Sequence, residues 1–135
     1  MMLQQEKPED FVIATGEQFS VREFINWTAA ELGITMRFEG NGLDEVGVVA
    51  GVEGDLAPAL EIGDIIVRID PRYLRPAEVE TLLGNPAKAY AQLGWAPEIS
   101  VKEMCAEMVA EDHKAARRLA LLKEHDLELP VSIEN

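Results

Sequence analysis

Hydrophobic and polar positions recur with a helical period in the first half of the chain. Between residues 20 and 32 the apolar side chains fall on one face of a helix: Val21, Phe24, Ile25, Thr28, Ala29 and Leu32. Ser20 and Glu23 have the spacing of a capping box at the start of this helix. Gly33 follows the last apolar position and suits a left-handed C-terminal stop. The pattern therefore predicts a capped amphipathic helix.

Short apolar runs predict strands on both sides of that helix. "FVIAT" (11–15) is a continuous apolar run bounded by Gly16 and is typical of a buried strand. "TMRFEG" (35–40), "VGVVAGV" (46–52) and "DIIVRID" (64–70) predict three more strands, the second of them in a small peripheral sheet. The first seven residues, "MMLQQEK", resemble the end of a helix that begins upstream.

Two further helices are predicted in the second half. Asn85 is expected to cap the first, with Pro86 at its first helical position and Gly94 at its end. Ser100 and Glu103 form a second capping box. Behind it, apolar residues mark one face of a long final helix: Val101, Met104, Met108, Ala115, Leu119 and Leu122. Together the elements predict an α/β fold with short strands and three to four helices.

Composition and charge limit the classes of molecule that the chain is expected to bind. A length of 135 residues predicts one domain, and a net charge of −13 argues against duplex nucleic acid and anionic membrane surfaces. No apolar run approaches the roughly 20 residues of a membrane span. The single Cys105 excludes an internal disulfide framework, and the lack of a signal-like segment predicts a cytoplasmic location.

The residues usually found in active sites are scarce. The sequence has no glycine-rich dinucleotide fingerprint and no Walker-type loop. His113 and His125 lie among charges and are interpreted as solvated, and Cys105 as a buried structural thiol. We therefore predict no catalytic residue, no cofactor-binding residue and no metal ligand in this chain.

The segment that follows the last predicted strand holds the strongest candidate binding residues. Arg72, Arg75 and Glu78 stand within seven residues, in a segment whose backbone is stiffened by Pro71 and Pro76. A guanidinium matches the oxygens of a diphosphate, and a carboxylate accepts hydrogen bonds from ribose hydroxyls. Such groups after a strand of an α/β sheet are typical of nucleotide sites. An ordinary ion pair on a surface loop stays open as the alternative.

Several motifs in this order carry a resemblance to a known family. "MMLQQEKPEDFVIATGEQFSVREF", "DPRYLRPAEVETLLGNPAKA", "LGWAPEIS" and "EMVAEDHKAA" resemble the extended short-chain dehydrogenases that act on nucleotide sugars. Within that group they are most similar to the GDP-mannose 4,6-dehydratase family. The similarity extends over nearly the whole chain, which makes it specific.

The resemblance implies that cofactor binding and substrate binding lie in different parts of the family enzyme. Family members convert GDP-mannose to GDP-4-dehydro-6-deoxy-mannose, the first step towards GDP-fucose, with NADP held by an N-terminal Rossmann domain. The chain resembles only the C-terminal, substrate-binding portion, without the Rossmann sheet. The family's catalytic Tyr-x-x-x-Lys pair, threonine and glutamate belong to its first two-thirds. We therefore expect an inactive fragment that needs the missing Rossmann half or full-length subunits, with a homo-oligomer as a further possibility.

The resemblance also assigns residues. Arg75 matches the arginine that contacts the diphosphate, and Glu78 matches the acid near the ribose. Arg72 is a weaker second cation, and Tyr73 is expected to pack against the nucleotide. GDP-mannose or GDP is thus the expected ligand. Lys88 is interpreted as a solvated helix residue and Trp95 as a packing residue.

Two other hypotheses were weighed. The chain is alternatively a free-standing nucleotide-sugar binding or regulatory module. "GDLAPALEIGDIIVRID" (54–70) has the cadence of a PDZ domain, a peptide-binding module. The PDZ hypothesis is the weaker one, because no carboxylate-binding Gly-Leu-Gly-Phe-type loop precedes a groove strand and helix.

Overall fold

A computed structural model describes residues 1–73, 75 and 81–125. Within them lie three α-helices, α1 (Val21–Glu31), α2 (Ala87–Leu93) and α3 (Val101–Glu124). One sheet contains β1 (Ile34–Glu39), β2 (Val46–Val52) and β3 (Ile65–Arg68) in that order. The predicted small α/β fold with short strands is confirmed, as are three of its four predicted strands.

The sheet is antiparallel throughout, with β2 at its centre. β1 pairs with β2 from Ile34 opposite Val52 to Glu39 opposite Val46. β2 pairs with β3 over a shorter length that begins with Val46 opposite Arg68. β3 is therefore an edge of the described sheet, and the chain that leaves it reaches the candidate binding residues.

The core lies between α1 and the sheet. Ala29, Ile34 and Val49 are buried together, and Leu32 and Leu60 pack around them. A tight turn at Gly33 (φ 74°) joins α1 to β1, as the sequence predicts, and the Glu53 amide donates to the Gly33 carbonyl at 2.8 Å. This turn brings the helix back over the sheet, which closes the core.

Both predicted capping boxes are present. The hydroxyls of Ser20 and Ser100 accept from the amides of Glu23 and Glu103, whose carboxylates accept from the serine amides in return. These hydrogen bonds hold the pKa of both carboxyl groups below the ordinary value. The two capping boxes therefore stabilise α1 and α3 at pH values above the ordinary carboxyl pKa. This contribution is lost as the pH falls through the lowered pKa and the carboxylates become protonated.

The helix predicted after Asn85 also forms, as α2, with its start shifted by one residue. The Asn85 side chain accepts from the Ala87 amide at 3.0 Å, but the capping position of α2 is occupied by Pro86 instead of the predicted Asn85. Pro86 stands just before the first helical residue instead of occupying it. Gly94 ends α2 in the left-handed region (φ 64°). Proline's fixed φ and missing amide suit either position at a helix start.

The predicted strand at 11–15 is wrong. This segment has no strand geometry, and Val12 and Ile13 are about half exposed. It runs instead beside Gly84, where an added Cβ would lie 2.5 Å from the Cβ of Ala14. An apolar run forms a buried strand only when a neighbouring strand can pair with its backbone, and none does so among the described residues. The opening residues contain a short 3-10 turn, Met2–Gln4.

Candidate functional site

The chain makes a tight turn directly after β3, and Asp70 organises it. The Asp70 carboxylate accepts from the Arg72 amide at 2.9 Å and from the Arg72 guanidinium Nε at 3.0 and 3.1 Å. The Asp70 carbonyl accepts from the Tyr73 amide at 3.1 Å, which closes the 3-10 turn Pro71–Tyr73. The turn fixes the direction in which Arg72 and Tyr73 leave the sheet.

Charge and hydrogen bonding reinforce this turn. The bonds from the Arg72 guanidinium and amide hold the pKa of Asp70 below its ordinary value, and the same carboxylate raises the pKa of Arg72. The Arg72 Cζ also lies 5.6 Å from the centre of the Tyr73 ring, within the range of a cation–π contact. The Asp70 carboxylate therefore partly neutralises the charge of Arg72.

The candidate residues differ in how far the structure describes them. Tyr73 is 77% exposed. Arg75 is exposed as well. Glu78 lies outside the described residues. The structure therefore places Arg72, Tyr73 and Arg75 on one short exposed segment, and the proposed pairing of Arg75 with Glu78 stays a prediction.

An apolar pocket of about 200 Å³ lies beside the same strand end. Its lining comes from α1, β1, β2 and the end of β3, and includes Val21, Ile25, Phe38, Val67 and Ile69. Ile69 is three residues before Arg72, a separation that spans at most about 11 Å of chain. The pocket and the arginine turn are thus neighbours along the chain.

Arg22 lies at this pocket and was missed as a candidate by the sequence analysis. Its guanidinium forms an ion pair with Glu45, and its Cζ lies 5.0 Å from the Phe38 ring centre. The capping box explains Ser20 but gives no role to Arg22, an outward residue of the first helical turn. An arginine next to a capping residue, with no role in the cap, was the signal by which the sequence could have indicated Arg22 as a candidate.

Lys88 makes contacts that the sequence analysis did not predict. Lys88 is an exposed helix residue, as expected, but it also makes distant contacts: its Nζ donates to the Asp10 carbonyl at 2.9 Å and lies 2.7 Å from a Glu9 carboxylate oxygen. The same Nζ lies 4.7 Å from the Phe11 ring centre. Lys88 therefore ties α2 to the segment before residue 11, a contact 78 residues apart along the chain that no local pattern reveals.

The remaining chemical candidates behave mostly as expected. Cys105 is 1% exposed and lies 3.3 Å from the Thr28 hydroxyl, which confirms a buried thiol. His125 is exposed, as predicted, whereas His113 is only partly exposed, in a groove between α3 and residues 55–60, so the prediction of a solvated surface residue holds better for His125. Trp95 is half-buried, as a packing residue would be.

The described residues do not fit a dinucleotide cofactor. Their sheet is antiparallel, and no described strand leads through a glycine-rich turn into a helix N-terminus, the geometry that cradles a pyrophosphate. The same ranges contain no cluster of three or more residues able to hold a metal ion. No described helix has the length and apolarity needed to cross a bilayer.

Comparison with known proteins decides the family. The family model described as GDP-mannose 4,6 dehydratase matches residues 1–108. The chain belongs to this family. It is 67% identical over 134 residues to a GDP-mannose 4,6-dehydratase of Vibrio cholerae and 55% identical over 135 residues to that of Yersinia enterocolitica. A Caenorhabditis elegans GDP-mannose 4,6 dehydratase 2 is 53% identical over 111 residues.

The chain is much shorter than these dehydratases. The Vibrio and Yersinia matches cover 99% and 100% of this chain but 36% of each relative, and the Caenorhabditis match covers 82% and 26%. The chain thus spans about a third of the length of the curated relatives and matches the C-terminal part of the dehydratase. The family resemblance is confirmed, and neither the free-standing module nor the PDZ hypothesis is favoured.

Proposed function

We propose that this chain is the nucleotide-sugar-binding portion of a GDP-mannose 4,6-dehydratase and that it holds the GDP moiety of GDP-mannose. The family match over residues 1–108 is the observation that carries the proposal. The exposed arginine segment after β3 supports it, because this segment gathers hydrogen-bond donors suited to a diphosphate.

Arg75 is the principal diphosphate ligand in this proposal. Its planar fork donates two parallel hydrogen bonds to phosphate oxygens, a geometry that a lysine ammonium does not supply. The overall charge of −13 repels a diphosphate, so local cations are needed to offset that field. Arg72 adds charge from a position fixed by Asp70, and Glu78 accepts from the ribose hydroxyls.

Aromatic and apolar surfaces complete the proposed nucleotide-binding site. The exposed Tyr73 ring offers a flat face against which the nucleotide packs. Ile69, which lines the apolar pocket together with Phe38, is four residues before Tyr73 in the chain. The guanidinium of Arg22 lies at the edge of the same pocket. Binding therefore combines charge-assisted hydrogen bonds with burial of a ring system.

The chemical steps of the reaction require residues outside this sequence. NADP supplies hydride exchange in this family, and the described residues do not fit it. The family's Tyr-x-x-x-Lys pair is also missing, since Ala77 and Gly94 stand four residues after the two tyrosines, Tyr73 and Tyr90. We propose that a Rossmann portion, on a separate chain or as part of full-length subunits, provides both. A nucleotide-sugar ligand and the free Cys105 thiol fit the cytoplasm.

Binding without turnover is the expected behaviour of the purified chain. Calorimetric titration with GDP-mannose should give saturable binding, and incubation with GDP-mannose and NADP should give no GDP-4-dehydro-6-deoxy-mannose. Free mannose is the control ligand and should not bind, since it lacks the diphosphate. Absence of binding, or formation of the dehydrated product, would overturn the proposal.

A further inference from the structure

A groove of about 590 Å³ lies between the second half of α3 and residues 55–60. It is separate from the segment after β3 that carries the proposed GDP contacts. Leu56 is 41% exposed there, and Ala116 and Ala120 are exposed as well. An open apolar groove of this kind indicates a binding surface. Most of its lining is apolar and includes Leu32, Ile34, Leu56, Leu60, Ala116 and Ala120.

The side of the groove that α3 forms is basic. His113 and Arg117 belong to its lining, which includes a single acidic residue, Asp55. Arg117 also borders a depression further along α3, together with Arg118 and His125. The groove and the depression are therefore joined at Arg117. In a chain with a net charge of −13, this basic surface favours an occupant that carries both acidic and apolar side chains.

The sequence after α3 has this composition. Residues 126–135 read "DLELPVSIEN" and lie outside the described residues. The segment contains three acidic residues and neither lysine nor arginine. Its apolar side chains occur at every second position, which places them on one side of an extended chain. They are Leu127, Leu129, Val131 and Ile133.

The segment is also long enough to reach the groove. α3 ends at Glu124, and His125 is its capping residue. His113 stands 12 positions before that cap, which is about 18 Å along the helix. Ten extended residues span up to about 33 Å, so they reach His113 even after the chain reverses its direction.

We propose that residues 126–135 bind in this groove as an extended segment antiparallel to α3. Its four apolar side chains cover Leu56 and the two exposed alanines of α3, while its acidic side chains lie within reach of Arg117. Residues 114–121 of α3 are exposed at every position, and helices in water owe most of their stability to burial of an apolar face. The bound segment therefore supplies packing that the second half of α3 otherwise lacks.

A spin label tests where the segment binds. Ser132→Cys carries a nitroxide on the side of the segment that faces away from the groove, and Cys105 stays unlabelled because it is 1% exposed. The amide resonances of residues 55–60 and 113–120 should broaden, with the reduced label as the reference. Absence of this broadening would overturn the proposal and assign the groove to another occupant, such as the remainder of the dehydratase.

Two neighbouring substitutions test the alternation. Val131→Glu places a charge on the apolar side and should release the segment, whereas Ser132→Glu adds the same charge on the other side and should not. Amide hydrogen exchange of residues 114–121 should become faster in Val131→Glu by about tenfold or more, since burial of one or two apolar side chains suffices for that factor. Unchanged exchange in α1 shows that the fold is kept. Equal exchange rates in the two variants would contradict the proposal.

Discussion

Gly33→Ala should lower the free energy of unfolding by more than about 3 kcal/mol, because it combines backbone strain with a collision. Gly33 has a φ of 74°, and an added Cβ would lie 2.1 Å from the Glu53 carbonyl oxygen. Relief of the collision would pull apart the hydrogen bond from the Glu53 amide to the Gly33 carbonyl. Urea unfolding followed by circular dichroism measures the loss.

Gly54→Ala is the matched control for this effect. Gly54 has a φ of 75°, but nothing lies within 4 Å of its added Cβ, so only the strain of the left-handed backbone is introduced. That strain costs about 1–2 kcal/mol. Equal losses in the two variants would show that the close approach of Glu53 to the turn does not contribute to the fold.

Arg75→Ala should weaken GDP binding by about tenfold to a hundredfold. A hydrogen bond to a charged group contributes about 1.5–3 kcal/mol, and every 1.4 kcal/mol is tenfold in the dissociation constant. Calorimetric titration of GDP into the intact chain and the variant measures the ratio. Arg75→Lys should recover part of the loss, because lysine keeps the charge without the two-pronged donor geometry.

Arg37→Ala is the control for a general charge effect on GDP binding. Arg37 is exposed on β1, at the other edge of the sheet from β3, and pairs with Glu39. Its neighbour Phe38 lines the pocket, so the side chain of Arg37 points to the opposite face of the strand. GDP binding that is unchanged in Arg75→Ala, or equally weakened in both variants, would contradict the assigned diphosphate contact.

Local signals predicted most of the fold. Ser20 with Glu23 and Ser100 with Glu103 specify helix starts through side chains three residues apart, and both boxes form as expected. Gly94 ends α2 because its left-handed conformation carries no Cβ penalty. These elements were predictable because their causes lie within a few residues of one another.

Contacts between residues distant in sequence explain the features that the sequence analysis did not predict. "FVIAT" has strand composition, but a strand also needs a partner for its backbone, and sequence composition does not supply one. Lys88 is exposed on its own helix, as predicted, but its contacts with Glu9 and Asp10 join segments 78 residues apart and were not predicted. The strand error and the unpredicted Lys88 contacts both depend on residues that are remote in sequence.

The candidate site was predictable in part. The two arginines after β3 were found from residue chemistry, while the roles of Arg75 and Glu78 came from the family resemblance. The turn held by Asp70 was not anticipated, because it depends on a side chain that folds back onto Arg72. Arg22 was left out together with Ser20, which the capping box explains, and the pocket beside Arg22 forms only when α1, β1 and β3 come together.

The location of bound GDP is the most direct test of the central claim. Backbone amide resonances of the isotopically labelled chain, followed by NMR during GDP titration, report which residues contact the nucleotide. The account predicts the largest shifts at Asp70, Arg72, Tyr73 and Arg75, with smaller shifts around Arg22. No shifts at about 1 mM GDP, or shifts confined to the groove between α3 and residues 55–60, would contradict it.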